Sequence, residues 1–319
     1  MNHRSGMDLA TSTLRQAETL LPFQPHVTRK TMHKIVTQVA IATAAAMLAA
    51  ASQAADWSDT SIGYRTGDKF AEPFGRTDIH KDILDFNHVS GYKYGTNFFN
   101  IDLLLSDGKD PAGAGSTNGA QEVYIVYRNT LDFEKMTGKS FKAGPMRGLG
   151  VTLGFDANTK NDAGYNSKKR MLVLGPTVNV DVPGFLSVSL LELWESNAPY
   201  NTFTNVSTPR YDYKTHPMLT AAWGIPIGSL PLSFEGFANF IASKGKDEFG
   251  NDTAAETNID MQIMYDVSTL WGAKNVFKLG FEYQYWKNKF GNKTTDVIGP
   301  GAGPGATAKT PMIRAEYHF

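Results

Sequence analysis

Phe277-Lys278-Leu279-Gly280-Phe281-Glu282-Tyr283-Gln284-Tyr285-Trp286 puts a large apolar residue at every second position, with Lys278, Gly280, Glu282, Gln284 and Trp286 between them. A helix scatters such residues around its surface, whereas a strand sorts them onto two faces. The same alternation runs through Phe99, Ile101, Leu103 and Leu105, with Asn100, Asp102 and Ser106 on the other phase. It returns at Leu149, Val151, Leu153 and Phe155, against Gly150, Thr152, Gly154 and Asp156. Weaker copies occupy 58–65, 83–93, 121–131, 169–181, 185–195, 213–225, 232–243, 258–266 and 310–319, so about twelve strands are expected.

The segments between them alternate in length. Tight joints fall at Tyr94-Gly95, at Val182-Pro183-Gly184 and at 226–230. Long joints rich in Gly, Asn, Asp, Thr and Pro fall at 66–82, 107–120, 157–167, 196–212, 244–257 and 289–309. Bacterial barrels with an even strand number have short periplasmic turns and longer external loops. One joint departs from the rule: 132–145 is long where the count makes it periplasmic, which leaves room for a miscounted hairpin. The final strand carries Ile313, Ala315, Tyr317 and Phe319 on one face, with Arg314, Glu316 and His318 on the other. An alternating strand ending on an aromatic residue suits a barrel and the terminal signal read by the barrel-assembly machinery.

Composition narrows the alternatives. The 319 residues carry no cysteine and balanced formal charge, which leaves neither a disulfide framework nor a basic surface for a nucleic-acid polymer. Residues 32–54 read as a cleavable signal peptide: His33 and Lys34 form the basic start, 35–51 are almost wholly apolar, and Ser52-Gln53-Ala54 supplies small residues for cleavage before Ala55. Residues 1–31 precede a complete start at Met32 and read as a spurious or disordered extension. Removing 1–54 takes away more bases than acids, so the mature chain, 55–319, is mildly acidic. It holds no apolar run near the ~20 residues of a spanning helix, so it enters a membrane only as a closed barrel of strands. The expected fold is all-β, a single antiparallel transmembrane β-barrel in contact with outer-membrane lipid.

Enzymatic motifs are missing. The mature chain has no Cys nucleophile, no H-E-x-x-H pair and no G-x-S-x-G turn, and His80, His88, His216 and His318 are scattered singly. The glycine-rich run 299–305 lacks the Lys-Ser/Thr of a phosphate loop. Asp107-Gly108-Lys109-Asp110 starts like a calcium loop but lacks its later acidic ligands and reads as a turn. No enzyme, cofactor or metal is expected.

A barrel of about twelve strands lies between small barrels packed with side chains and wide aqueous pores, so its lumen is expected to be narrow and to discriminate solutes by contact. The strand phase assigns to that lumen Arg65, Asp85, Asn100, Asp102, Glu122, Arg128, Glu235, Asn239, Glu282 and Arg314, with the aromatic residues Phe98, Tyr124, Phe237 and Trp286. Mixed acids and bases offer donors and acceptors to a small polar solute, and the aromatic rings offer a stacking surface. Alternatively these charges form a structural network that fills the barrel.

Several stretches resemble the nucleoside-specific channel-forming porins of the outer membrane, the Tsx-like group with its vibriophage-receptor branch. They are Glu122-Val123-Tyr124-Ile125, Lys135-Met136-Thr137-Gly138 and Phe141-Lys142-Ala143-Gly144-Pro145, with Trp57-Ser58-Asp59, Tyr285-Trp286 and Tyr317-His318-Phe319. The resemblance implies a twelve-stranded barrel passing nucleosides by passive diffusion, and use as a phage receptor. It also accounts for the long joint at 132–145. A plugged barrel acting as a surface receptor or scaffold is the alternative.

Overall fold

The computed structural model describes residues 55–73, 77–294 and 305–319. The signal peptide and the extension expected at 1–54 lie outside the described residues, as does most of the glycine-rich run at 299–305.

Twelve long strands follow one another: β1 (Ala55–Phe70), β2 (Ile79–Tyr92), β3 (Gly95–Ser106), β4 (Gln121–Asp132), β5 (Met146–Lys160), β6 (Arg170–Val180), β7 (Phe185–Asn197), β8 (His216–Pro226), β9 (Leu232–Ile241), β10 (Glu256–Asp266), β11 (Phe277–Lys287) and β12 (Thr307–His318). Each pairs antiparallel with the next, and β12 returns to β1 with Ser61 opposite His318 and Thr66 opposite Ile313. The Phe319 amide donates to the Thr60 carbonyl at 2.9 Å, which extends the seam to the last residue. Closure leaves no unpaired edge, the condition for strands to cross hydrocarbon.

The β6–β7 ladder skips two rungs between Leu174–Glu192 and Thr177–Ser189, at the position of Pro176, which has no N–H to donate. The long joint after β4 contains no hairpin. It holds a short helix, α1 (Phe133–Thr137), whose start is capped by the Asp132 carboxylate accepting from the amides of Glu134 and Lys135. Gly138, at φ 70°, ends it in the left-handed conformation that glycine tolerates. The count of twelve therefore stands. Strands β1 and β2 run further than the alternation indicates, through Thr66-Gly67-Asp68-Lys69 and back from Ile79. There both faces accept polar residues and the apolar period fades.

The residue distribution is inverted relative to a water-soluble protein. Phe281 is 75% exposed and Ile313 61%, with Ile62, Leu172, Leu190, Leu219 and Ile263 also exposed on the outer face. Charged residues occupy the inside: Asp85, Glu282, Lys81 and Glu316 are buried. Such an apolar outer band, closed without an edge, is stable only against lipid. The chain is a multi-pass β-barrel of the bacterial outer membrane.

Candidate functional site: the barrel lumen

All fourteen residues assigned to the lumen by strand phase lie on the inward register. Asp85 faces Asp102 across β2–β3, Asp102 faces Tyr124 across β3–β4, Glu282 faces Gln262 across β10–β11, and Phe237 faces Ala222 across β8–β9.

Five of the fourteen meet at the β1–β12 seam. Arg65 donates to Asp102 at 2.7 Å and lies 3.3 Å from Asp85 and 3.4 Å from Glu282. Arg314, directly opposite Arg65 across the seam, reaches Glu282 at 2.8 Å, Glu316 at 2.5 Å and Asp85 at 3.4 Å. Two guanidinium groups this close repel, and the surrounding carboxylates hold them; taking either base away strands buried acids. Asn100 extends the cluster by donating to Asp102 at 3.0 Å.

The other candidates occupy smaller groups. Arg128 binds Asp156 at 2.5 Å, and the same carboxylate accepts from the Tyr124 hydroxyl at 3.1 Å. Glu122 accepts from Asn158 at 2.6 Å. Glu235 lies 3.5 Å from Lys278, and Asn239 accepts from Thr220 at 2.6 Å. Trp286 donates to Glu256 at 3.2 Å. Phe98 stands apart, on the register of Arg128 and Val89 towards the short-turn end.

The opposite wall differs. On the inward register of β5 to β8 the periplasmic half carries small residues: Gly148, Gly150, Gly154, Gly175, Ser187, Ala222 and Gly224. Among them a hydroxyl ladder crosses the strands, from Thr130 to Thr152 at 2.8 Å, on to Thr177 at 2.5 Å and to Ser189 at 2.8 Å. Long charged side chains on one wall thus face short neutral ones on the other. Towards the outside the inward register carries two apolar clusters, Met171, Val173, Leu191, Leu193 and Met218 in one and Phe70, Ile79, Ile83 and Met312 in the other. Alternation does not reveal these clusters, because an apolar residue on the inward phase reads only as a weak strand.

A second polar centre, at the external mouth, also escaped sequence reading. Glu72, just beyond β1, folds into the mouth and is buried. Its carboxylate lies 2.5 Å from Lys81, 3.1 Å from Lys289 and 3.6 Å from Lys160. Burial alone would raise the Glu72 pKa, but the three ammonium groups overcome it and hold the carboxyl well below its ordinary 4.5. Lys289 is held below the usual lysine value, by burial first and by Lys81 and Lys160 besides, with Glu72 opposing. The Glu72 carbonyl also sits where a Cβ on Gly305 would be, 2.0 Å away, so the segment before β12 passes it only as glycine. Asp110, in the turn considered as a calcium loop, pairs with Lys160 at 2.9 Å.

Beside this centre opens a small vestibule of about 60 Å³, bordered by Lys160, Tyr165, Lys169, Lys244, Phe249 and Phe290. Lys244 binds Glu195 at 2.8 Å and lies 4.3 Å from the centre of the Tyr213 ring. Glu248 accepts from the hydroxyls of Tyr165 and Tyr213. Burial, then the neighbouring Tyr165 and Glu248, raise the Tyr213 pKa. Lys81 and Glu316 were legible in principle, since each continues the inward phase of a strand already recognised; Glu72 and Lys289 lie beyond strand ends and carry no such mark.

No protein-family model and no curated protein matches the chain. Among solved structures it is similar to the KdgM porin, at 12% identity and TM-score 0.39, over 81% of this chain and 99% of that one. It is similar to the translocator domain of the autotransporter NalP from Neisseria meningitidis, at 12% identity and TM-score 0.42, over 89% and 98%. An anion-selective porin from Comamonas acidovorans aligns at 12% identity and TM-score 0.30, over 82% and 98%. Likenesses this distant add nothing to the reading of the lumen, which rests on the barrel's own geometry.

Proposed function

We propose that the barrel is a passive, substrate-selective outer-membrane channel for small polar solutes, with nucleosides as the expected class. The observation that carries this reading is the asymmetry of the lumen: charged side chains on one wall, glycines and hydroxyls on the other, as expected if a narrow polar path runs between them. Arg65, Asp102, Arg128 and Asn239 present donors and acceptors to that path, and Tyr124, Phe237 and Trp286 present rings. The nucleoside assignment draws on the family resemblance and on these rings.

Conductance of the refolded barrel in planar bilayers tests the proposal. Small, steady steps with saturable block by a nucleoside are expected, and a barrel that is folded yet silent contradicts it. The packing of Met171, Leu191, Leu193 and Met218 in the outer half of the lumen favours a second reading, a plugged barrel serving as a surface or phage receptor. In that case liposomes show no solute flux, and shortening an external loop abolishes phage adsorption.

A further inference from the structure

Glu72 is placed as a ligand would be. Its carboxylate occupies the meeting point of three lysines drawn from separate parts of the chain, Lys81 on β2, Lys160 at the end of β5 and Lys289 after β11. All four residues are buried. The lysines do not depend on Glu72 equally. Lys160 has Asp110 at 2.9 Å and Asp162 at 3.1 Å, whereas Lys81 has, among the described residues, otherwise only Asp110 at 3.8 Å. Among the described residues Lys289 has no other ion pair. Take Glu72 away, and two buried ammonium groups are left with little or no counter-charge, beside a vestibule that Glu72, Lys160 and Phe290 border. A buried cation without a counter-charge is costly even where, as at Lys289, the Ala71 carbonyl still accepts from it at 2.9 Å, so such a site recruits an anion.

We infer that Lys81, Lys160 and Lys289 form an oxyanion-binding cradle that Glu72 fills as a built-in ligand, and that the cradle receives the carboxylate or phosphate of an anionic polar solute when Glu72 is displaced. The cradle is a binding site in its own right; its use during permeation rests on the channel reading above. The chemistry selects small oxyanions over neutral solutes, because three ammonium donors converge where two carboxylate or three phosphate oxygens are matched. Glu122, Asp110 and Asp162 nearby balance the three lysines once Glu72 is displaced, so the site takes a compact monoanion or dianion held by local contacts and repels a polyanion.

The test titrates inorganic phosphate into the detergent-folded full barrel by calorimetry. Glu72→Gln removes the built-in carboxylate charge and keeps the shape; it is expected to bind phosphate at least ~10-fold more tightly than the parent, or about 1.4 kcal/mol. Adding Lys289→Met to Glu72→Gln is expected to abolish that gain. An affinity in Glu72→Gln no better than the parent's, or a gain that survives Lys289→Met, overturns the proposal. Should Glu72→Gln fail to fold, Glu72→Asp draws the carboxylate back by one methylene, and an intermediate gain is expected; no gain refutes the cradle equally. Binding in micelles needs no current, so a silent barrel that binds phosphate defeats the channel reading and leaves the cradle, and a conducting barrel that does not bind it does the reverse.

Discussion

Arg65 on the first strand and Arg314 on the last stand directly opposite each other across the seam that closes the barrel, and both reach Asp85 and Glu282 inside it. The seam is held by its backbone ladder and by a shared set of carboxylates that neither arginine could satisfy alone.

Replacing Arg314 by Met is expected to destabilise the barrel by about 3–5 kcal/mol, the cost of leaving buried acids without their partner. Urea-induced unfolding from lipid vesicles measures it. Changing Arg314 and Glu282 together is expected to cost less than the sum of the single changes, because the two share one interaction. Additivity within ~0.5 kcal/mol would show that the pair is not coupled.

Asp102→Asn removes one carboxylate from Arg65 and leaves the strand pairing untouched. Reversal potentials across a salt gradient are expected to shift towards anion preference, since the lumen-facing strand residues otherwise include more acids than bases. An unchanged reversal potential would place Asp102 away from the ion path.

On the outer face, Phe281→Arg sets a charge against lipid at the most exposed large residue of β11. A loss of about 2–4 kcal/mol is expected if the position lies near the bilayer midplane, falling towards zero near an interface. The same folding titration therefore reports how deep Phe281 sits.

Acid should release the external mouth. The pKa of Glu72 is depressed in the folded chain, so its contribution to stability is fully present above its ordinary value of 4.5 and is lost as pH falls through the lower folded value. Lys81, Lys160, Lys289, Glu122, Asp110 and Asp162 face the same space. Protease cleavage of the mouth is expected to rise only well below pH 4.5 in the parent protein, and to be high and nearly independent of pH in Glu72→Gln. Parallel profiles for the two proteins would remove Glu72 from the account.

The barrel itself was legible because its constraint is local and periodic. Phe277 to Trp286 must alternate, since lipid lies on one side and the lumen on the other, and the same phase puts Arg65, Asp85, Asp102, Glu282 and Arg314 on one face. What brings those five together is the closing of β12 on β1, which no window of sequence contains. Alternation is silent at Glu72 and Lys289, beyond strand ends, and it undervalues Leu191 and Met218, whose apolar side chains point inward. The joint at 132–145 suggested a missing hairpin because length alone cannot distinguish one from the capped turn of helix that Asp132 starts and Gly138 ends.

The channel reading is tested most directly by the single-channel conductance of the refolded barrel in a planar bilayer, alone and with a nucleoside added, for the parent and for Ala222→Trp. Ala222 lies on the short-side-chain wall, opposite Phe237 on the next strand, and an indole there narrows the path. Small steady steps, saturable nucleoside block and a severalfold smaller step in Ala222→Trp are the results expected of a channel between the two walls. A folded parent barrel with no conductance, or a step that Ala222→Trp leaves unchanged, would contradict it.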